Sequence, residues 1–94
     1  MDVNEFKKSL LQKMVNVKID DLKVGHFYPL RYLFFDFREM FDVSEDFYKN
    51  MLFEMNKEGL IEIDKNGFKE LDRYSIFITC EGVKYLLEDK EDKV

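Results

Sequence analysis

The chain holds one histidine, His26, and one cysteine, Cys80, so any nucleophilic or metal chemistry resting on such side chains would have to be assembled around these two. A catalytic cysteine needs a neighbouring base to take its proton, and His26 is the sole imidazole on offer. A tetrahedral metal site needs several N, S or O ligands, and His26 has no second histidine and no cysteine at ligand spacing. His26, beside Gly25 and ahead of a helix start, therefore reads as a loop or capping residue. Cys80, directly after Thr79, reads as a small packed residue. The 20 carboxylates invite acid/base pairing, but nearly all fall on polar helix faces or in the charged C-terminal run, where solvation is the default. No phosphate loop, nucleophile elbow or zinc spacing occurs. The expectation is a protein with no catalytic residues, no metal and no cofactor, whose chemistry is recognition.

Recognition needs a frame, and the hydrophobic spacing supplies one. A first helix is expected over residues 2–15: Asp2 and Glu5 have the spacing of a capping box, and Phe6, Leu10, Leu11 and Met14 share a face. Residues 16–27 are ambiguous: Val17, Lys18 and Ile19 alternate and could form a short strand, then Asp20, Asp21 and Gly25 break the pattern. A second helix is expected from Tyr28-Pro29, with Leu30, Leu33, Phe34, Phe37 and Phe41 as its buried stripe and Tyr32 and Phe35 widening it. Ser44 suits the N-cap of a third helix, with Asp46 favourable near its positive end. Tyr48, Met51, Leu52 and Met55 form that helix's inner face, and Gly59 stops it. Strands follow at Leu60–Ile63 and Tyr74–Thr79 around the Asn66-Gly67 turn. Thr79 then caps a last helix over residues 80–89 that turns Val83, Leu86 and Leu87 inward.

Composition bounds the class. Ninety-four residues suit one domain, read as residues 1–88 followed by a solvated tail at 89–94. Ten Phe and five Tyr can each bury on the order of 150–250 Å², enough for a core in a short chain. Charged residues make up 37%, which predicts a wet surface around an aromatic centre. A single cysteine, no charge-then-apolar leader and no apolar run near the ~18 residues of a membrane span point to a cytoplasmic protein without a membrane partner.

Two segments carry a family resemblance. Met51-Leu52-Phe53-Glu54-Met55-Asn56-Lys57-Glu58-Gly59-Leu60-Ile61 resembles the pattern in which the recognition helix of a winged helix-turn-helix domain ends in Leu-x-x-x-Gly-Leu-Ile/Val and feeds the first wing strand, with Met55 in place of the usual leucine. Ile76-Phe77-Ile78-Thr79-Cys80-Glu81-Gly82-Val83-Lys84-Tyr85-Leu86 resembles the Ile/Leu-Thr-x-x-Gly-x-x-x-Leu that closes the wing. Together the resemblance covers about residues 28–87. It implies a single α+β winged-helix domain, with a three-helix core, a two-stranded wing and a C-terminal helix, acting as a DNA-binding transcription regulator.

Carried over position by position, the resemblance turns Glu45, Asp46, Phe47, Lys49, Asn50 and Phe53 toward a DNA groove and puts Lys65, Lys69 and Arg73 on the wing. Lys49 and Asn50 suit that task, since Asn pairs well with adenine edges. Charge opposes it. Residues 42–58 hold five acids and two bases, residues 59–80 four acids and three bases, and the chain carries −5 overall. Phosphate contacts come mainly from Lys and Arg, yet the segment that should be most basic is the most acidic. The alternative is an acidic protein-interaction or inhibitor module, such as the small phage-encoded proteins that occupy the DNA channel of a nucleic-acid enzyme. Tyr28, Tyr32 and Phe35 offer a face for a homodimer, since aromatics concentrate in interface cores, or else extra core. Phe68, just after Asn66-Gly67, is an apolar ring at a wing tip and suggests a contact.

Overall fold

The computed structural model describes residues 2–23 and 30–91. The first helix, α1, is Val3–Val15. Its stripe falls as the spacing predicts: Phe6, Leu10, Leu11 and Met14 are fully buried. The expected capping box does not form, because Asp2 makes no side-chain cap; its carbonyl instead accepts from the Phe6 amide at 3.0 Å. Asn16 ends the helix in the left-handed region at φ 53°, a conformation that asparagine tolerates better than most residues. The ambiguous segment after α1 forms no strand at residues 17–19; Ile19–Asp21 is a 3-10 turn.

The expected second helix is also absent from its described part. Its start at Tyr28-Pro29, with His26, lies outside the described residues. From Leu30 onward the chain makes a two-residue strand, β1 at Tyr32–Leu33, then turns, then a 3-10 turn at Arg38–Met40. The backbone found better partners elsewhere: Phe34 donates its amide to the Tyr74 carbonyl at 2.9 Å, and Leu33 donates to the Asp36 carboxylate at 2.8 Å. The aromatic stripe splits accordingly. Phe34, Phe37 and Phe41 enter the core, while Leu30 and Leu33 stay about half exposed.

Helix α2, Glu45–Lys57, starts as expected, with Ser44 Oγ accepting from the Phe47 amide at 3.1 Å. It ends in a Schellman closure: Leu60 donates to Met55 O at 2.9 Å and Gly59 to Asn56 O at 3.1 Å. Gly59 sits at φ 83°, where a side chain would be strained.

Strands β2 (Ile61–Asp64) and β3 (Ser75–Ile78) then pair antiparallel, Ile61 opposite Ile78 and Asp64 opposite Ser75. β1 joins the other side of β3, Tyr32 opposite Ile76, so the sheet has three strands in the order β1-β3-β2 rather than the two expected. Asn66 and Gly67 both have positive φ, 56° and 78°, and Phe68 donates to Lys65 O at 2.9 Å; this is the two-residue turn the Asn-Gly pair predicts. It forms one corner of a longer connection, closed by Asn66 Nδ2 donating to Ser75 Oγ at 2.7 Å. Both sheet edges have an outward amide occupied by a side chain. Asp36 takes Leu33 N on β1, and Asn56 of α2 takes Ile63 N on β2 at 3.2 Å. Such occupied edges discourage pairing with another strand.

Helix α3, Cys80–Glu91, begins on a double-duty threonine. Thr79 Oγ1 accepts from the Gly82 amide at 3.1 Å and donates to the Gly59 carbonyl at 2.5 Å, joining the end of α2 to the start of α3. Val83 and Leu86 are buried in the common core, where α3 packs on α1. The core centres on aromatic rings: Phe6 lies 4.4 Å from Phe41 and edge-on to Phe47 and Tyr48. Tyr48 is fully buried, and its hydroxyl donates to Phe34 O at 2.6 Å.

Candidate interaction surface

α2 is the element on which the sequence places most of its candidate residues, and its burial pattern sorts them. Tyr48, Met51, Leu52 and Met55 face the core. Glu45, Asp46 and Asn50 are exposed, as is Phe53 at 43%. Glu54 and Lys57 are exposed too. Their i+3 and i+4 spacing from Asn50 and Phe53 places them on the same outer face, a signal that was present in the sequence and that the family pattern did not use. Phe47 departs from its expected outward position: it is half-buried, with its ring edge-on to Phe6 at 5.6 Å. The Ser44 cap sets the helix phase so that Phe47 falls one step from Tyr48 and Met51 on the inner side.

Phe53 is exposed without being loose. Its ring lies 5.5 Å from that of Phe34, which is itself fully buried, so an aromatic floor holds the exposed ring. Lys49 lies 4.0 Å from both Glu45 and Asp46. These are loose, solvated i+4 and i+3 pairs worth little to stability, but they place two carboxylates beside the one cation in the first half of the helix.

The β2–β3 connection carries Lys65, Lys69 and Arg73, all exposed. The Arg73 guanidinium lies over the Phe68 ring at 5.0 Å, so the apolar ring expected at the tip is 41% exposed and covered on one face by a cation. Arg31 is a residue that local reading missed. It stacks over Phe77 at 4.7 Å and reaches the Asp64 carboxylate at 3.2 Å. These partners are distant in sequence, and no local pattern announces them. The Asn66 amide and then Arg31 hold the Asp64 carboxyl below its usual range.

Of the aromatic residues read as either a dimer face or extra core, Tyr32 and Phe35 are engaged within the protomer. Tyr32 is half-buried, its hydroxyl donates to Met14 O at 3.2 Å, and its ring packs edge-on to Phe37. Burial, then the nearby Asp36 carboxylate, pushes its phenol up. Phe35 stacks on Tyr48 at 5.9 Å. Tyr28 lies outside the described residues. Cys80 is exposed at the first position of α3. Among the described residues no group of three or more His, Cys, Asp or Glu could hold a metal ion, and no helix is long and apolar enough to cross a membrane. A shallow depression of about 390 Å³ beside the end of α1 is lined by Gln12, Lys13, Asn16, Val17 and Lys18.

The fold and this surface define a small α+β domain of three helices and a three-stranded antiparallel sheet, presenting one helix face of mixed charge around an exposed aromatic ring. Comparison with protein-family models, with curated proteins and with solved structures gives no match.

Proposed function

We propose that the chain is a non-catalytic protein-binding module on a winged-helix-like frame, and that the outer face of α2 is its contact surface. The observation that carries this reading is Phe53, a large ring left 43% exposed at the middle of that face while resting on buried Phe34. A rigid aromatic anchor ringed by polar groups is the usual composition of a binding hot spot. The electrostatics agree. Lys49, the best placed of the cations for a phosphate, already lies beside Glu45 and Asp46, and phosphate backbones are bound mainly by uncompensated Lys and Arg.

A second reading, a DNA-binding regulator, draws support from the exposed Lys65, Lys69 and Arg73 between β2 and β3, where a wing would meet a phosphate backbone. One titration separates the two. The purified chain is added to mixed-sequence duplex DNA at low and at moderate salt. The protein-binding reading expects no complex at either; affinity that falls steeply with salt would mean that phosphates are being neutralised, and the regulator reading would replace it.

A further inference from the structure

The outer face of α2 has a charge order that reads as its own complement. In chain order it presents Asp46, Lys49, Asn50, Phe53, Glu54 and Lys57. Reversing the direction of the helix brings Asp46 level with Lys57, Lys49 level with Glu54 and Asn50 level with Phe53. Each acid of this set thus meets a base; beyond its flanks the same reversal sets Glu45 level with Glu58, whose charge Lys7 already balances at 2.7 Å. A foreign partner would place no such requirement on this helix. An isologous interface does, because a two-fold axis makes the same patch serve as both surfaces.

We infer that α2 is the contact surface for a second copy of this chain, the two helices crossing through a two-fold axis at the level of Asn50 and Phe53. This rests on the protein-binding reading of the same face and names its partner. The helix geometry permits it. At ~100° and about 1.5 Å per residue, Asp46 and Lys57 lie near the centre line of the face about 16 Å apart, while Lys49 and Glu54 lie on opposite flanks. With helices strictly antiparallel, only the Asp46–Lys57 pairs would come together. When they cross near −50°, the commonest packing class, the axis passes over Phe53 and Asn50. Phe53 then packs on Phe53 of the second copy, and both kinds of ion pair fall within a lysine's reach. Among the described residues Lys49 has two loose contacts at 4.0 Å to exchange. Phe53 is 43% exposed, and among the described residues its ring contact is with Phe34, which leaves exposed ring for its counterpart. The occupied edges of the sheet agree, because they leave the helix face as the better route to self-association.

A single helix pair buries less than the ~800 Å² per partner of a standard interface, so the dimer is expected between micromolar and millimolar concentration. Sedimentation equilibrium of the full chain at physiological ionic strength reads it directly. D46K and K57D each weaken association about tenfold, because two-fold symmetry makes every substitution strike two pairs. The double variant D46K/K57D restores wild-type association, and F53S removes it. Circular dichroism confirms that each variant keeps its fold, as expected for side chains this exposed. A chain monomeric at millimolar concentration, a dimer indifferent to F53S, or a double variant as weak as the singles would each overturn the inference. A monomer that also ignores duplex DNA would reject the second copy and leave the protein-binding reading of α2 intact. Salt-sensitive DNA binding would reject that reading itself.

Discussion

Gly82 offers a test of the packing in which the sign of the effect is decided by one distance. It lies in the first turn of α3, where alanine would ordinarily stabilise a helix by up to about 1 kcal/mol over glycine. Here a Cβ at position 82 would sit 2.3 Å from the Leu60 carbonyl oxygen, 2.7 Å from Ile78 Cγ1 and 3.2 Å from Leu11 Cδ2. The side chains can rotate away, but the carbonyl cannot. Leu60 O accepts from the Thr79 amide at 3.2 Å, and the following residue opens β2. Relief therefore requires α3 to withdraw by about 1 Å, which parts Val83 and Leu86 from the core and weakens dispersion contacts all along the helix. Overpacking of this kind costs about 1–3 kcal/mol. Set against the helix-propensity gain, Gly82→Ala should lose about 1–2 kcal/mol. At about 4–8 °C per kcal/mol for a domain of this size, the melting temperature falls by roughly 5–15 °C. Urea unfolding followed by circular dichroism measures it, with Lys84→Ala on the exposed side of the same helix as the control. A Gly82→Ala variant as stable as the wild type would refute the close approach of α3 to the β2 strand entry.

Two further outcomes follow from individual hydrogen bonds. Tyr48→Phe strands the buried Phe34 carbonyl and should cost about 1–3 kcal/mol in urea unfolding. Burial raises the Tyr48 phenol well above its usual range, so its contribution is fully present below the unfolded value near pH 10 and is lost as pH climbs beyond it. Wild-type stability should therefore decline through strongly alkaline pH, less steeply in Tyr48→Phe, and parallel declines in the two proteins would contradict the assignment. Asn56→Ala removes the acceptor from the outward Ile63 amide. Hydrogen exchange at Ile63 should accelerate while the Glu62 and Phe77 amides between β2 and β3 keep their protection; an unchanged Ile63 rate would show the cap to be idle.

The elements readable from the sequence were those set by local chemistry. The α1 stripe, the Ser44 cap, the Gly59 stop, the Asn66-Gly67 turn and the Thr79 cap each depend on residues within a few positions of one another, and each occupies its expected place. Residues 30–41 misled because Leu30, Leu33, Phe34, Phe37 and Phe41 satisfy helical spacing while the backbone bonds that decide the matter run to Tyr74 and Asp36. A strand of two residues has almost no pattern of its own; it exists because β3 offers it a partner. The candidate surface was legible in part for the same reason. Helix phase exposes Asp46, Asn50 and Phe53, but the Phe34 ring beneath Phe53 and the stacking of Arg31 on Phe77 are long-range facts. Phe47 was misplaced by carrying over a family position where the packing of Phe6 decides.

The segment that declined to be a helix also explains why α2 can serve as a rigid platform. The turn from Phe34 to Phe41 supports α2 with rings: Phe34 and Phe35 stand against Tyr48, Phe34 again lies beneath Phe53, and Phe41 packs on Phe6, which is itself edge-on to Phe47 and Tyr48. The Tyr48 hydroxyl then pins that turn by its backbone at Phe34. Aromatic side chains have few torsions to freeze, so such a support fixes the helix at low entropic cost. It also delivers an apolar ring to the surface through a chain of contacts that begins in the core. Loosening the support at Tyr48 should therefore weaken whatever α2 binds even though Tyr48 itself touches no partner. An association unaffected by Tyr48→Phe and abolished by F53S would place the binding energy in Phe53 alone and none of it in the preorganisation of the helix.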